Sequence, residues 1–504
     1  MLEYDVIVIG AGVSGACTAR ELSRFKLKTA VLEKAPDLCA GASKGNSATV
    51  HSGHDAAYGT KKALYNVLGN KMYDRLCQEL CVPFQRNGTY VFAVTDHDMD
   101  ELARLKENAD RNQVPGVRLL SYPELIRQSP GWSPKVKGAL FAPTGGVVCP
   151  YSLVFALCAN AAENGVDFYR NTEVCGIRKE GGRFFIHTGC GDFSSKYIFN
   201  CAGVYADDMN NFVSSRKIRI IPRKGSHIIL DKKLAPYVDA TLCQPPSVLP
   251  GGGHTKGMGL MPTDGGTVLL GCEAVDIGDK TDVSTTRQGL DEILSYFETN
   301  WRFLPQSRYF PEFPKNLIIG AFSSVRPHPD TDDFILGEAP DAPGFINIAG
   351  FESPGITAAP AVAKDLVRDS AERFGWEPNP GFNPIRKAEK PFREMTEEEM
   401  EEAIRQDPDY GKIVCRCEQV TRAEVLRAIR DPLGARTVNE VKMRTRAGMG
   451  RCQGGFCSPE IVSILVQELR IPMNQVTLCG AGSEILGKEA CLEESQEEKE
   501  GSGA

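Results

Sequence analysis

The runs Val6 to Ile9, Thr29 to Leu32, Tyr197 to Asn200 and Phe345 to Ile348 are β-branched or aliphatic nearly throughout. Strands of this kind are buried on both faces, and with helical stretches between them they predict a parallel α/β sheet as the main body. Lys217 to Leu230 and Gly259 to Gly271 read differently: alternating residues and Gly-rich turns predict antiparallel strands, and so a second, sheet-based domain inserted into the first. Beyond Phe374 the segment Trp376-Glu-Pro-Asn-Pro-Gly-Phe-Asn-Pro carries three prolines that stop a helix, and it reads as a linker. A short acidic helix is expected over Thr396 to Gln406, a compact helical pattern over Thr421 to Leu469, and a charged, disordered tail from Lys488 to Ala504. No internal repeat is evident.

Length and charge narrow the classes. The 504 residues correspond to about three domains at roughly 150 residues each. A net charge of −7 leaves no excess of positive charge for a phosphate backbone, which argues against a nucleic-acid partner. No apolar run approaches the ~18 residues of a membrane span, so membrane contact is at most peripheral. Seventeen cysteines in 504 residues fall far below the ~8–10% of a disulfide scaffold. With no basic-then-apolar leader before the first strand, reduced thiols and a cytoplasmic location are expected.

Tyr4-Asp-Val-Ile-Val-Ile-Gly10-Ala-Gly12-Val-Ser-Gly15 runs from strand into helix, and Glu33 ends the next strand. Gly10 makes the tight turn, Gly12 admits a pyrophosphate to the backbone, Gly15 permits helix-on-strand packing, and the helix N-terminus offers N–H donors. Glu33 would accept ribose hydroxyls. This motif predicts nucleotide binding and leaves FAD and NAD open.

Two further strand-to-helix turns, Phe199-Asn-Cys-Ala-Gly203-Val-Tyr-Ala-Asp207 and Ile346-Asn-Ile-Ala-Gly350-Phe-Glu-Ser-Pro-Gly355, complete a pattern over about residues 3 to 375. This pattern resembles the D-amino-acid-oxidase-like FAD-dependent oxidoreductases. The resemblance implies FAD, its pyrophosphate on the first glycine motif, Gly203 near the adenosine half, and Gly350 and Gly355 near the flavin ring. The stretch Gly41-Ala-Ser43-Lys-Gly-Asn46-Ser47-Ala-Thr-Val-His51-Ser52-Gly53 would wrap the FAD, with Ser43 beside it. His51 is the candidate base, because neutral imidazole can take an alcohol proton as hydride leaves the same carbon. His54 is expected to be local support. Asn46 to Gly53 and Gly350 to Gly355 look most like the glycerol-3-phosphate oxidases and dehydrogenases of this family, with L-2-hydroxyglutarate oxidases close by. The likeness places Ser47, His51, Lys256, Arg326 and Ser353 around a small phosphorylated polyol. A Lys and Arg pair suits a phosphate, while Arg alone would also bind a carboxylate.

Cys415-Arg-Cys417 and, 34 residues on, Cys452-Gln-Gly-Gly-Phe-Cys457 form C-x-C-x34-C-x4-C. Four thiolates in two close pairs suit zinc or an iron–sulfur cluster. The single intervening residue and helical insert resemble the bacterioferritin-associated-ferredoxin-like [2Fe-2S] domain. Thr421 and Thr437 are positioned to cap its helices and Pro459 to begin a third. The other cysteines read as packing residues. A flavin dehydrogenase joined to such a domain resembles the catalytic subunit of anaerobic glycerol-3-phosphate dehydrogenases, although its substrate loop looks more like that of the oxidases.

The expected fold is therefore α/β: a Rossmann-like FAD domain of glutathione-reductase type (1–80, 142–215 and 325–375), an inserted antiparallel-sheet substrate domain (81–141 and 216–324), a linker (376–412), a small helical [2Fe-2S] domain (413–480) and a disordered acidic tail (481–504). The expected activity is oxidation of sn-glycerol 3-phosphate to dihydroxyacetone phosphate by hydride transfer to FAD. Electrons would leave through [2Fe-2S] to an electron-transfer flavoprotein or a quinone-linked subunit. The alternatives are a dehydrogenase of L-2-hydroxyglutarate or of an opine-like secondary amine, and a non-enzymatic electron-transfer flavoprotein.

Overall fold

The computed structural model describes residues 1–246 and 257–487. The chain forms two compact units, residues 1–390 with 450–453, and residues 391–449 with 454 onward.

At the centre of the first unit lies a six-stranded sheet among the described residues, in the order Asp167–Tyr169, Thr29–Leu32, Val6–Ile9, Tyr197–Asn200, Phe345–Ala349 and Ile335–Glu338. The first five run parallel and the last is antiparallel. Val6–Ile9 and Thr29–Leu32 are buried throughout, as their unbroken apolar sequence requires. Helix Val13–Leu22 packs against helices Pro150–Glu163 and Gly355–Phe374. Ile7, Ile9, Leu32 and Ile198 pack instead with Ile177, Phe184, Ile186 and Phe193 from a small four-stranded sheet. The period of two in the central strands thus divides their side chains between two layers.

A nine-stranded sheet forms the second body of this unit. Its long strands Ile220–Leu230 and Ile318–Pro329 pair antiparallel over nearly their whole length, with Arg223 opposite Arg326 and His227 opposite Phe322. The antiparallel expectation needs one amendment: Thr241–Cys243 pairs parallel with Thr89–Ala93, joining strands contributed by distant stretches of the chain. A core that includes Trp132, Phe297 and Trp301 backs this sheet.

Residues 376–390 are not a loose linker. Trp376 packs on Phe25, Tyr197 and Phe374. The Asn379 N–H donates to the Arg24 carbonyl and the Arg386 N–H to that of Glu79. The buried Arg20 guanidinium donates to Asn160 Oδ1, Glu79 Oε2 and the Pro384 carbonyl at 2.9, 2.7 and 3.1 Å. The prolines keep this strap extended, and a large aromatic ring and main-chain hydrogen bonds hold it down. The unit boundary falls between Lys390 and Pro391, and the acidic helix Glu397–Gln406 belongs to the second unit.

The second unit has a short hairpin, Ile413–Cys415 with Val420–Thr421, and helices Arg422–Arg430, Val438–Thr445 and Ser458–Leu469. Thr421 and Thr437 accept from the N–H groups of Glu424 and Glu440, and Pro459 stands in the first turn of the third helix. Part of the expected tail is also folded: the Leu478 N–H donates to Ser483 and the Ile485 N–H to Val476. Residues 488–504 lie outside the described residues. Among the described residues, no helix is long and apolar enough to cross a membrane.

Candidate active site

The nucleotide cradle is set by close approach. A Cβ on Gly10, whose φ is +98°, would stand 2.5 Å from the Cys201 carbonyl oxygen, and one on Gly15 would stand 1.9 Å from that of Gly10. Only glycine lets the strand end and the first helical turn meet there. Gly12 starts the helix without a side-chain cap, and Ser43 Oγ accepts the Val13 N–H at 2.9 Å. Glu33 accepts the N–H groups of Ala11 and Ala35 at 2.8 and 2.9 Å. Burial pushes its carboxyl up against the opposing pull of those two donors. A carboxylate offers about four lone-pair sites, so two remain for hydroxyls. Gly203 opens the second turn with φ +58°, and nothing lies within 4 Å of where its Cβ would be. Gly350, with φ +76°, and Gly355, first in its helix, form the third turn. These residues fit a dinucleotide: a helix N-terminus, an open turn and an acid with spare acceptors.

Beyond the cradle lies a cavity of about 400 Å³ whose wall includes Ser43, Ser47, His51, Arg326 and Ser353. The structure thus brings the expected substrate residues together, except Lys256, which lies outside the described residues. The His51 backbone is pinned: its N–H donates to Thr357 Oγ1 at 2.9 Å, and its carbonyl accepts from Asn66 and Asn70 at 3.1 and 3.0 Å. Its Nε2 lies 3.2 Å from Ser353 Oγ. His54 bonds Ser52 through Nδ1 at 2.7 Å. Arg326 Nη2 donates to the carbonyls of Glu273 and Lys224 at 2.7 and 3.2 Å, and no carboxylate among the described residues pairs with it. Its Nη1 donates to Cys272 Sγ at 3.7 Å, and among the described residues its charge meets no counter-ion.

A charged cluster on the same wall escaped the sequence reading. Glu352 Oε1 lies 2.7 Å from Lys62 Nζ and 3.0 Å from His328 Nδ1, with Arg223 Nη1 3.9 Å from Oε2. Burial raises the Glu352 carboxyl, but the His328 contact and Lys62 outweigh it and hold the group at about 2. Its one sequence signal is its place between Gly350 and Ser353.

In the second unit Cys415 ends its strand and Cys457 precedes helix Ser458–Leu469, both buried in the helical core. Cys417, in the same unit, is exposed; Cys452, in the stretch 450–453 that belongs to the first unit, is half-buried. No group of three or more His, Cys, Asp or Glu side chains among the described residues surrounds a single ion position. A two-iron cluster takes four thiolates, two per iron, and Cys415 and Cys417 with Cys452 and Cys457, each pair closely spaced in sequence, match that donor set in type and number. Of the other cysteines, Cys17, Cys39, Cys158 and Cys201 are buried, and burial pushes the Cys201 thiol up to about 12.

The family model for FAD-dependent oxidoreductases of the DAO type matches residues 5–368, and the model of the BFD-like [2Fe-2S] binding domain matches residues 413–467. The chain belongs to the DAO family of FAD-dependent oxidoreductases. This oxidoreductase is 43% identical to a glycerol 3-phosphate dehydrogenase of Caloramator mitchellensis, over 96% of the chain and 98% of that relative. It is 27% identical to a glycerol 3-phosphate oxidase of Mycoplasma genitalium, over 75% of the chain and 98% of the relative. The solved L-α-glycerophosphate oxidase of Mycoplasma pneumoniae with FAD bound superposes with a TM-score of 0.70 at 26% identity, covering 77% of this chain and all of the other. The cofactors of this DAO-family oxidoreductase are FAD and a [2Fe-2S] cluster.

Proposed function

We propose that this chain oxidises sn-glycerol 3-phosphate to dihydroxyacetone phosphate. The observation that carries the reading is the uncompensated Arg326 guanidinium, in the same cavity as the His51–Ser353 pair. A guanidinium held by two carbonyls and the Cys272 sulfur, with no carboxylate among the described residues, favours an anion, and its planar donors match phosphate oxygens. Relatives named glycerol 3-phosphate dehydrogenase and oxidase support phosphate over carboxylate. In this reading Lys256 supplies a second charge and Ser47 a hydroxyl contact.

The chemistry supplied by FAD, when bound, is acceptance of a hydride, and that of the [2Fe-2S] cluster is one-electron exit. His51 takes the substrate hydroxyl proton on Nε2 while the C–H bond on the same carbon breaks and the C=O bond forms. Ser353 Oγ, 3.2 Å from the same nitrogen, keeps the imidazole turned toward the cavity until the substrate hydroxyl takes its place on Nε2. Gly10, Gly12, Gly15, Ser43, Glu33, Gly203, Gly350 and Gly355 hold the dinucleotide, and Cys415, Cys417, Cys452 and Cys457 hold the cluster. We also propose that 1–80, 142–215 and 325–375 serve the cofactor and 81–141 and 216–324 the substrate. Electrons pass to an electron-transfer flavoprotein or a quinone-linked subunit, in the cytoplasm. The test is anaerobic mixing of the holoenzyme with sn-glycerol 3-phosphate, L-2-hydroxyglutarate or an opine-type secondary amine. Fast loss of the oxidised-flavin band with the first alone is expected; faster bleaching by either other compound, or by none, overturns the assignment.

A further inference from the structure

On strand Ile220–Leu230 the alternate residues Arg223, Gly225 and His227 line the cavity wall. Two glycines shape that wall around two side chains. A Cβ on Gly225 would stand 2.7 Å from Arg326 Nη2, and one on Gly271 would stand 2.8 Å from His227 Cδ2. The imidazole stacks on Phe322, with ring centroids 5.0 Å apart and planes 13° apart. Its orientation is therefore fixed by packing on two sides.

Among the described residues no hydrogen bond adds to that packing. His227 is 3% exposed, and neither ring nitrogen has a hydrogen-bond partner among them. Arg326 Nε is likewise unpartnered. Buried polar atoms are almost always satisfied, and an orphaned imidazole in a substrate cavity calls for a group that arrives from outside the chain. We infer that His227 hydrogen-bonds the terminal hydroxyl of the bound substrate and selects a polyol phosphate over analogues lacking that hydroxyl. This inference rests on the substrate reading above.

A neutral imidazole presents one donor and one acceptor nitrogen, and a hydroxyl can answer either, leaving the anionic end to Arg326. Neutrality follows from the surroundings: burial first, and then the charge of Arg326, lower the imidazole to about 3. A neutral contact reads the part of the substrate that carries no charge.

The test compares sn-glycerol 3-phosphate with 2-hydroxypropyl phosphate, which keeps the reacting alcohol and the phosphate but lacks the terminal hydroxyl. In anaerobic flavin reduction the wild-type holoenzyme should prefer the natural compound by roughly 5- to 10-fold in kcat/KM, the worth of one neutral hydrogen bond. In His227→Leu that preference should fall below about 2-fold, mainly through KM, with flavin content unchanged. His227→Asn, which keeps a donor and an acceptor, should retain part of it and carries the test if the leucine variant loses its flavin. Equal preference in wild type and variants overturns the role of His227, as does a wild type that does not discriminate. A wild type reduced by neither compound overturns the substrate reading itself.

Discussion

The contact between Ser353 Oγ and His51 Nε2 separates a residue that acts on the substrate from one that acts through its neighbour. At 3.2 Å it is a long hydrogen bond, and hydrogen bonds between uncharged groups contribute about 0.5–1.5 kcal/mol, or about 2- to 12-fold in rate. The structure favours the low end. The His51 backbone is already held by Thr357, Asn66 and Asn70, so Ser353→Ala removes one contact of the ring and leaves its backbone in place. His51→Ala removes the base itself and should slow flavin reduction about 10²–10⁴-fold while substrate still binds. Because the serine is argued to act through the imidazole, the double variant should match His51→Ala within about 2-fold. The assay is anaerobic stopped-flow reduction at saturating substrate, with all four proteins loaded with FAD. Two independent losses that multiply, or a Ser353→Ala loss above about 100-fold, would refute the positioning role.

Gly15→Ala should abolish FAD retention on gel filtration, because its Cβ would collide with the Gly10 carbonyl at 1.9 Å; a yellow, stable variant would contradict the cradle. Cys415→Ser should remove the cluster absorbance and acid-labile sulfide while flavin reduction by substrate persists, since Cys415 and the nucleotide cradle belong to different compact units. Loss of FAD in that variant would show that the units are interdependent. Glu352→Gln should destabilise the protein by about 3 kcal/mol in urea at neutral pH, by stranding Lys62 and His328. A carboxyl held at about 2 in the fold, against 4.5 unfolded, stabilises fully above 4.5 and loses that contribution as pH falls toward 2. The gap between wild type and variant should therefore close across that window, and a gap independent of pH would exclude the ion cluster as its source.

What the sequence discloses depends on how far apart the partners lie. Gly10, Gly12, Gly15 and Glu33 form a local pattern whose geometry follows from one strand, one turn and one helix. The caps Thr421 and Thr437 are legible for the same reason. The nearness of Ser353 to His51 came only through family resemblance, because 302 residues separate the pair. His227 and Glu352 carried no motif. Their significance lies in a glycine opposite, a missing hydrogen bond and a lysine on another helix, which appear only once the sheet has closed. The segment after Phe374 was misread because prolines announce where helices stop, not whether an extended chain is docked. Trp376 was the residue that could have corrected it, since a solvated linker has little use for an indole.

That docked strap decides where the chain can be divided. A flavin-bearing half ending at Phe374 would leave the buried guanidinium of Arg20, on the nucleotide helix itself, without the Pro384 carbonyl, and would bare the rings of Phe25 and Tyr197. Exchange of one electron-accepting partner for another, by gene fusion or in the laboratory, must therefore leave residues 376–390 with the flavin half. The natural seam lies after Lys390, 22 residues beyond the end of the family match.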